Sequence, residues 1–391
     1  MKNFVLMIFM LVLSSCMFGE IESEIYSGAD GIWRGPSYGK HLSGTVYAAG
    51  LDYPDGYDWR ADPEKGKVKC SLTLLADGVP VLRIPVGDAY EVSSDKNAHR
   101  ILDGYLYTDY TDGNTTVIKK DGIEAVRYEG AEEIVSMKIH NGVIHTLGSP
   151  KGGEGFTYRA DGQVLVERES GTILSGLCEY GGLISFCFAG SAVSSAGPVS
   201  TYYLVSGGKV HQAAIDSDVT QVLDMGLYGG EMYMLAETDS VKSPVLIKGQ
   251  ERMKVSYFSR LDLVSCRFME TDSVCVRVRY RISGTMADLV WSGNSGFRRF
   301  LKGGLVDSII ADSEGCIASV YSADFKTGAI YSRNGMHYIP EGYRMYGDGC
   351  LVVRDTLVHA ALTSDVGGRP VIWMNEILDT LAINGPLTCL Q

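Results

Sequence analysis

Gly104-Tyr-Leu-Tyr107, followed by Thr116-Val-Ile118-Lys-Lys-Asp121-Gly122, is the stretch that decides the fold. Asp-Gly after an apolar run is a strong hairpin signal, because a type I′ turn needs φ > 0 at both central positions. The two-residue turn recurs as Asp77-Gly78, Asp161-Gly162, Gly207-Gly208, Gly249-Gln250, Gly293-Asn294, Asn334-Gly335 and Asn375-Glu376, at intervals of 40 to 46 residues. Strand-like runs precede it, among them Thr73-Leu-Leu75, Tyr202-Tyr-Leu-Val205 and Val371-Ile-Trp373. The upstream element recurs in phase as Gly44-Thr-Val-Tyr47, Gly142-Val-Ile-His145, Gly182-Leu-Ile-Ser185, Gly230-Glu-Met-Tyr233, Ser273-Val-Cys-Val276, Gly315-Cys-Ile-Ala318 and Thr356-Leu-Val-His359.

Each unit reads strand, short turn, strand, variable loop, strand, tight turn, strand. Four strands in about 43 residues is the size of a propeller blade. Helical repeats of similar length would need apolar stripes of period 3.6, and this chain alternates instead. The expectation is an all-β chain, a β-propeller of four-stranded antiparallel blades. Counting gives eight blades, or seven if an end unit is partial. The segment Ile25 to Tyr38 is a candidate closing strand, and joining both ends in one blade would remove open sheet edges.

Composition agrees. The 391 residues hold 47 Gly and 23 Tyr but only 11 Pro, which points to many turns between aromatic-bearing strands. The net charge of −12, with no run of Lys and Arg, argues against nucleic acid as a partner.

The chain opens Met1-Lys2-Asn3 and continues with ten apolar residues from Phe4 to Leu13. That is a signal-peptide core, too short to span a bilayer. Leu13-Ser14-Ser15-Cys16 follows and resembles the lipobox of bacterial lipoproteins. The resemblance implies cleavage before Cys16 and a diacylglycerol on its thiol. It divides the chain into a signal peptide (1–15), a lipidated tether (16–24) and a propeller (25–391). Met17 stands where an inner-membrane retention signal would have Asp, so the expected location is the bacterial outer membrane, facing the periplasm or the surface.

The repeats resemble the unassigned propeller repeats of exported bacterial lipoproteins, best in Gly44-Thr-Val-Tyr-Ala-Ala-Gly50 and Tyr331-Ser-Arg-Asn-Gly335. This resemblance spans roughly residues 40–380 and is silent about chemistry. WD40 and Kelch signatures do not recur.

The eight cysteines after Cys16 show no metal-binding spacing. Several sit in strand-like runs and read as small buried hydrophobes. Cys178–Cys187 and Cys266–Cys275 each span nine residues across a predicted hairpin, where a disulfide is an alternative.

No Walker loop, HExxH, Gly-x-Ser-x-Gly or EF-hand spacing is present, so no cofactor, metal or catalytic residue is assigned. His145 and His359 take the repeat position that holds Tyr elsewhere and read as strand residues. The remaining functional signal is loop composition. The second-to-third-strand loop of the first unit is the longest and carries Tyr53, Tyr57, Trp59 and Arg60. Matching loops carry Tyr110, Asp324 with Phe325, and Arg369. Exposed aromatics can stack on sugars or anchor a peptide, or else pack back and order the loop. The sequence therefore favours a lipid-anchored, non-catalytic binding or scaffold module for a glycan or an envelope protein. A structural subunit of an outer-membrane assembly, and a glycan hydrolase or lyase, stay open.

Overall fold

The computed structural model describes residues 31–35, 37–39, 45–58, 70–86, 99–151, 153–194, 197–239, 241–255, 263–269, 274–292, 297–302, 304–312, 315–322, 328–332, 335–341, 343–345, 351–354, 357–364, 369–374 and 377–391. Among them strands form eight antiparallel sheets, and no helix is long and apolar enough to cross a membrane. The second sheet shows the plan: His99–Leu102, Tyr105–Asp112, Thr115–Lys120 and Ile123–Glu129 meander in chain order. The third repeats it with Glu132–His140, Val143–Pro150, Phe156–Ala160 and Gln163–Arg168.

Among the described residues, both sequence markers fall at turns. Asp77-Gly78, Asp121-Gly122 and Asp161-Gly162 join third to fourth strands, with φ of 46–51° at Asp and 77–82° at Gly. Asp103-Gly104, Asn141-Gly142 and Gly181-Gly182 join first to second strands, also at positive φ. A left-handed aspartate is strained, and a local hydrogen bond offsets the strain. Asp77, Asp121 and Asp161 each accept one through Oδ1, from the N–H of Val46 (2.9 Å), Leu106 (2.8 Å) and Ile144 (2.9 Å). These three donors lie two residues after the glycines of the upstream marker. In these three sheets the carboxylate thus ties the later turn to the start of the second strand, which keeps the two markers in phase there. In the fourth sheet Gly207 keeps only the backbone half of this link, donating to Ile184 O at 3.0 Å.

An antiparallel meander puts these tight turns on one face and the remaining connections on the other, here called the turn face and the loop face. Neighbouring sheets pack through aliphatic and aromatic layers. Between the third and fourth sheets, Phe156 meets Phe186 and Phe188 at ring distances of 5.5 and 4.8 Å. Packing runs from each sheet to the next, and the eighth touches the first through Leu357–Ser364 and Leu387–Leu390. Successive four-stranded meanders packed in a closed circle define a β-propeller.

Closure joins both ends in one sheet, as expected, but the strand that closes the inner edge is not the expected one. Trp33–Arg34 does pair within the first sheet, but on its outer side, against Arg83 and Leu82. The inner edge is closed by Leu387–Leu390, which lies along Tyr47–Asp52. Both ends of the described chain therefore share one sheet, in the order Trp33–Arg34, Val79–Val86, Cys70–Ala76, Tyr47–Asp52, Leu387–Leu390. Beyond Arg34 the chain runs to the turn face, where the Tyr38 hydroxyl donates to Asp121 Oδ2 at 2.5 Å.

Several charged groups are buried between sheets. Glu132 accepts from Arg159 at 2.8 Å and from Tyr128 at 3.2 Å, while the Arg159 guanidinium stacks 4.2 Å above the Tyr128 ring. Asp288 takes two 2.8 Å bonds from Arg279 and a third from Val306 N–H of the next sheet. Asp224 accepts from Phe268 N–H of the next sheet at 2.9 Å.

The innermost strand of the second sheet buries His99, and burial, helped by Arg100, depresses its pKa to about 4. The unfolded chain then binds more protons than the folded one between pH 6.5 and 4. That contribution is fully present above pH 6.5 and is lost on acidification, to the extent of about 3 kcal/mol at 1.36 kcal/mol per pKa unit. Asp224, pushed up to about 6 by burial, acts in the opposite sense, binding its proton more tightly when folded. Urea unfolding of His99→Gln and the parent across pH 4–7 should therefore differ in slope, the variant losing less stability on acidification. Parallel curves would show that His99 does not titrate in this window.

Candidate functional site

The loop face is built around the closure. After Asp52 the chain makes a turn at Pro54-Asp55-Gly56-Tyr57, where Tyr57 N–H donates to Pro54 O at 3.1 Å and Gly56 takes φ of 82°. Glycine at the third position with positive φ is the requirement of a type II turn. The segment leading into Leu387–Leu390 lies against this turn. Asn384 donates its backbone N–H to Asp52 Oδ1 at 2.8 Å and its side-chain amide to the carbonyls of Pro54 (2.9 Å) and Tyr57 (3.2 Å). It also accepts from Tyr53 N–H at 3.0 Å. Glycines allow this approach: a Cβ on Gly385 would sit 2.2 Å from Leu51 O, and one on Gly50 would sit 2.7 Å from Pro386 O.

From the eighth sheet, Arg369 reaches across the seam to Asp55, Nη2 to Oδ1 at 3.2 Å. Both side chains are exposed, so the pair adds little stability and its groups remain accessible to a ligand. Beneath them Tyr53 and Tyr57 pack at 5.2 Å between ring centroids. Tyr53 is buried and Tyr57 half-buried on the core of the first sheet. Burial raises the Tyr53 phenol above its ordinary pKa.

Of the residues singled out from sequence, the structure brings Tyr53, Tyr57 and Arg369 together. Tyr53 forms the floor of the loop and does not present its ring to solvent. Tyr110 is a strand residue opposite Val117, with the Lys119 ammonium 5.0 Å from its ring, and does not lie in a loop. The loop of the second unit is only Gly113-Asn114. Cys16, Trp59, Arg60, Asp324 and Phe325 lie outside the described residues. Sequence reading missed Asn384, although Asn384-Gly385-Pro386 carries a plain turn signature.

On the turn face, His140 lies 3.7 Å from Glu179, and His145 Nδ1 lies 2.9 Å from the Tyr158 hydroxyl. Burial, with His140 nearby, lowers the His145 pKa. Among the described residues no group of three or more His, Cys, Asp or Glu side chains is placed to hold a metal ion. The loop-face arrangement offers an arginine, carboxylates, amide groups and aromatic edges, a set suited to recognition.

No protein-family model matches the chain, and no curated protein matches it. In fold it is similar to dihydro-heme d1 dehydrogenase NirN, at a TM-score of 0.52 and 8% identity over 88% of this chain and 74% of that one. It also aligns with the β-propeller domain of the Trilobed protease from Pyrococcus furiosus (TM-score 0.44, 11% identity, 76% of this chain and 95% of that one). A third alignment is with TolB from Acinetobacter baumannii (TM-score 0.33, 12% identity, 76% and 80%). At these identities the likeness is one of fold alone, and the fold is a β-propeller.

Proposed function

We propose that the protein is a lipid-anchored β-propeller of eight blades in a bacterial envelope. It serves as a non-catalytic binding or scaffold module, recognising a glycan or a partner protein on the loop face. The observation that carries this reading is the asymmetry of the two faces. One repeats the same tight turns. The other bears the Pro54–Tyr57 turn, held at the ring seam by Asn384 and flanked by the accessible Arg369–Asp55 pair. Rigid support beneath a polar, aromatic-bearing loop keeps down the ordering cost of binding. The anchor rests on Leu13-Ser14-Ser15-Cys16, and the propeller would span 25–391.

The test is a glycan array and an envelope-protein pull-down with the Cys16→Ser chain. A ligand is expected whose affinity falls about tenfold or more in Trp59→Ala and in Arg369→Ala, as for residues at the centre of an interface. A blank array with one reproducible protein partner would leave the scaffold role alone. Blanks in both would overturn recognition at this face. Labelled fatty acid should enter the full chain and not the Cys16→Ser variant.

A second reading, a subunit of an outer-membrane assembly, is favoured by exposed aliphatic side chains near the turn face: Val79 at 63%, Ile123 at 53% and Leu183 at 50%. Exposed aliphatic side chains gathered on one face can contribute to an association surface. Val79→Ser with Ile123→Ser should then release the protein from its assembly without changing its melting temperature.

A further inference from the structure

The two cysteine pairs spaced nine residues apart are equivalent in sequence, and sheet register separates them. Directly opposed residues of an antiparallel pair share one side of the sheet, and successive residues alternate sides. Cys266 lies opposite Val278, and Cys275 is three residues from Val278, so the two thiols point to opposite sides. No disulfide can join them without breaking the ladder.

Cys178 lies opposite Ser185, and Cys187 is two residues further along the same strand, on the same side. Both side chains enter one apolar cluster between the fourth and fifth sheets, beside Val222 and Met225. A diagonal pair of this kind starts roughly 7–8 Å apart between Cα atoms, slightly beyond the usual disulfide range of about 4.4–6.8 Å. The innermost strand supplies the slack. Thr172–Ile173 and Cys178–Tyr180 are separate short strands on Leu183–Ser194, and the residues between them bulge, with Leu174 and Ser175 both donating to Cys187 O.

We propose that Cys178 and Cys187 are a disulfide site, cross-linking the innermost strand of the fourth sheet to its neighbour when a low-molecular-weight disulfide or a thiol oxidase is present. With oxidised glutathione, the Cys178 thiolate attacks one glutathione sulfur and expels a glutathione thiolate. The Cys187 thiolate then displaces the second. One Sγ–Sγ bond forms, and the protein's two thiol protons leave with two reduced glutathiones. Burial holds the Cys178 thiol up at about 11 and that of Cys187 at about 12, so exchange is slow in the folded chain and accelerates as pH rises. The site is independent of whatever the loop face binds.

The test is refolding of the full chain in a glutathione redox buffer, followed by alkylation and peptide mapping. Cleavage after Arg168 and Lys209 leaves both cysteines in one peptide. That peptide should escape alkylation and lack two hydrogens. A further cut after Glu179 should leave its halves joined until reduction. Cys266 and Cys275 should not be found joined to each other. Cys178→Ser should make Cys187 alkylatable, and the oxidised parent should melt several degrees above its reduced form. Alkylation of both thiols in the refolded parent, or glutathione trapped on Cys178 alone, would overturn the proposal.

Discussion

Asp288→Ala is expected to lower the free energy of unfolding by about 3–5 kcal/mol, the cost of removing one partner of a buried ion pair. Asp288 has no exposed surface and accepts three hydrogen bonds. Two come from Arg279 within its own sheet and the third from Val306 N–H in the next. Alanine would leave the guanidinium without its carboxylate and orphan a buried backbone donor at a sheet-to-sheet joint. Chemical denaturation at neutral pH measures the loss. In the double variant with Arg279→Met, most of the ion-pair cost should return, because an apolar pair of similar volume often replaces a buried ion pair neutrally. What does not return, about 1–3 kcal/mol, belongs to the orphaned Val306 N–H. A single-variant loss below 1 kcal/mol would mean that water reaches the site. Arg369→Ala, by contrast, should leave the unfolding curve where it is while weakening ligand binding.

Gly385→Ala is expected to loosen ring closure. The added methyl would meet Leu51 O at 2.2 Å and the Tyr53 ring at 3.0 Å. One of these is backbone inside a paired strand, so relaxation must move the Asn384–Pro386 segment off the first sheet. Overpacking costs about 1–3 kcal/mol, and here the upper end applies. The signature is local: amides of Leu387–Leu390 and of Tyr47–Asp52 should exchange faster with solvent while the third and fifth sheets stay protected. Asn384→Ala should show the same pattern more weakly, since it removes two side-chain hydrogen bonds and leaves the backbone path open.

The fold was legible because its information is local. Asp121 must be an aspartate in a left-handed turn and must reach the N–H of Leu106, so chemistry and spacing are fixed together within 15 residues. Asp161 and Asp77 make the same bond over 17 and 31 residues. The inner closing strand was not legible, because Leu387–Leu390 is four residues long and pairs with Tyr47–Asp52 over more than 300 residues of chain. The candidate site was half legible. Aromatic and charged residues marked the loop, but nothing nearby reveals that Arg369 meets Asp55 or that Tyr53 faces inward. Tyr110 misled because its unit has a two-residue loop, which keeps it within the strand. The buried ion pairs were invisible for another reason. Arg277-Val-Arg279-Tyr-Arg281 alternates like a strand with a solvated face, yet Arg279 is spent on a buried carboxylate.

The outer strand Trp33–Arg34 has a mechanical consequence. Gly31 lies beside Pro85, toward the loop face, and the chain then runs antiparallel to Val79–Val86 as far as the Tyr38–Asp121 bond. Tension applied before Gly31 and directed toward the loop face would load these contacts in shear, along the strand axis, rather than unzip them one by one. The force would pass into the outer edge of the first sheet and, through Asp121, into the second. The inner strand Leu387–Leu390, on which the circle depends, lies off that load path. A pull strong enough to strip the strap would therefore leave the ring shut.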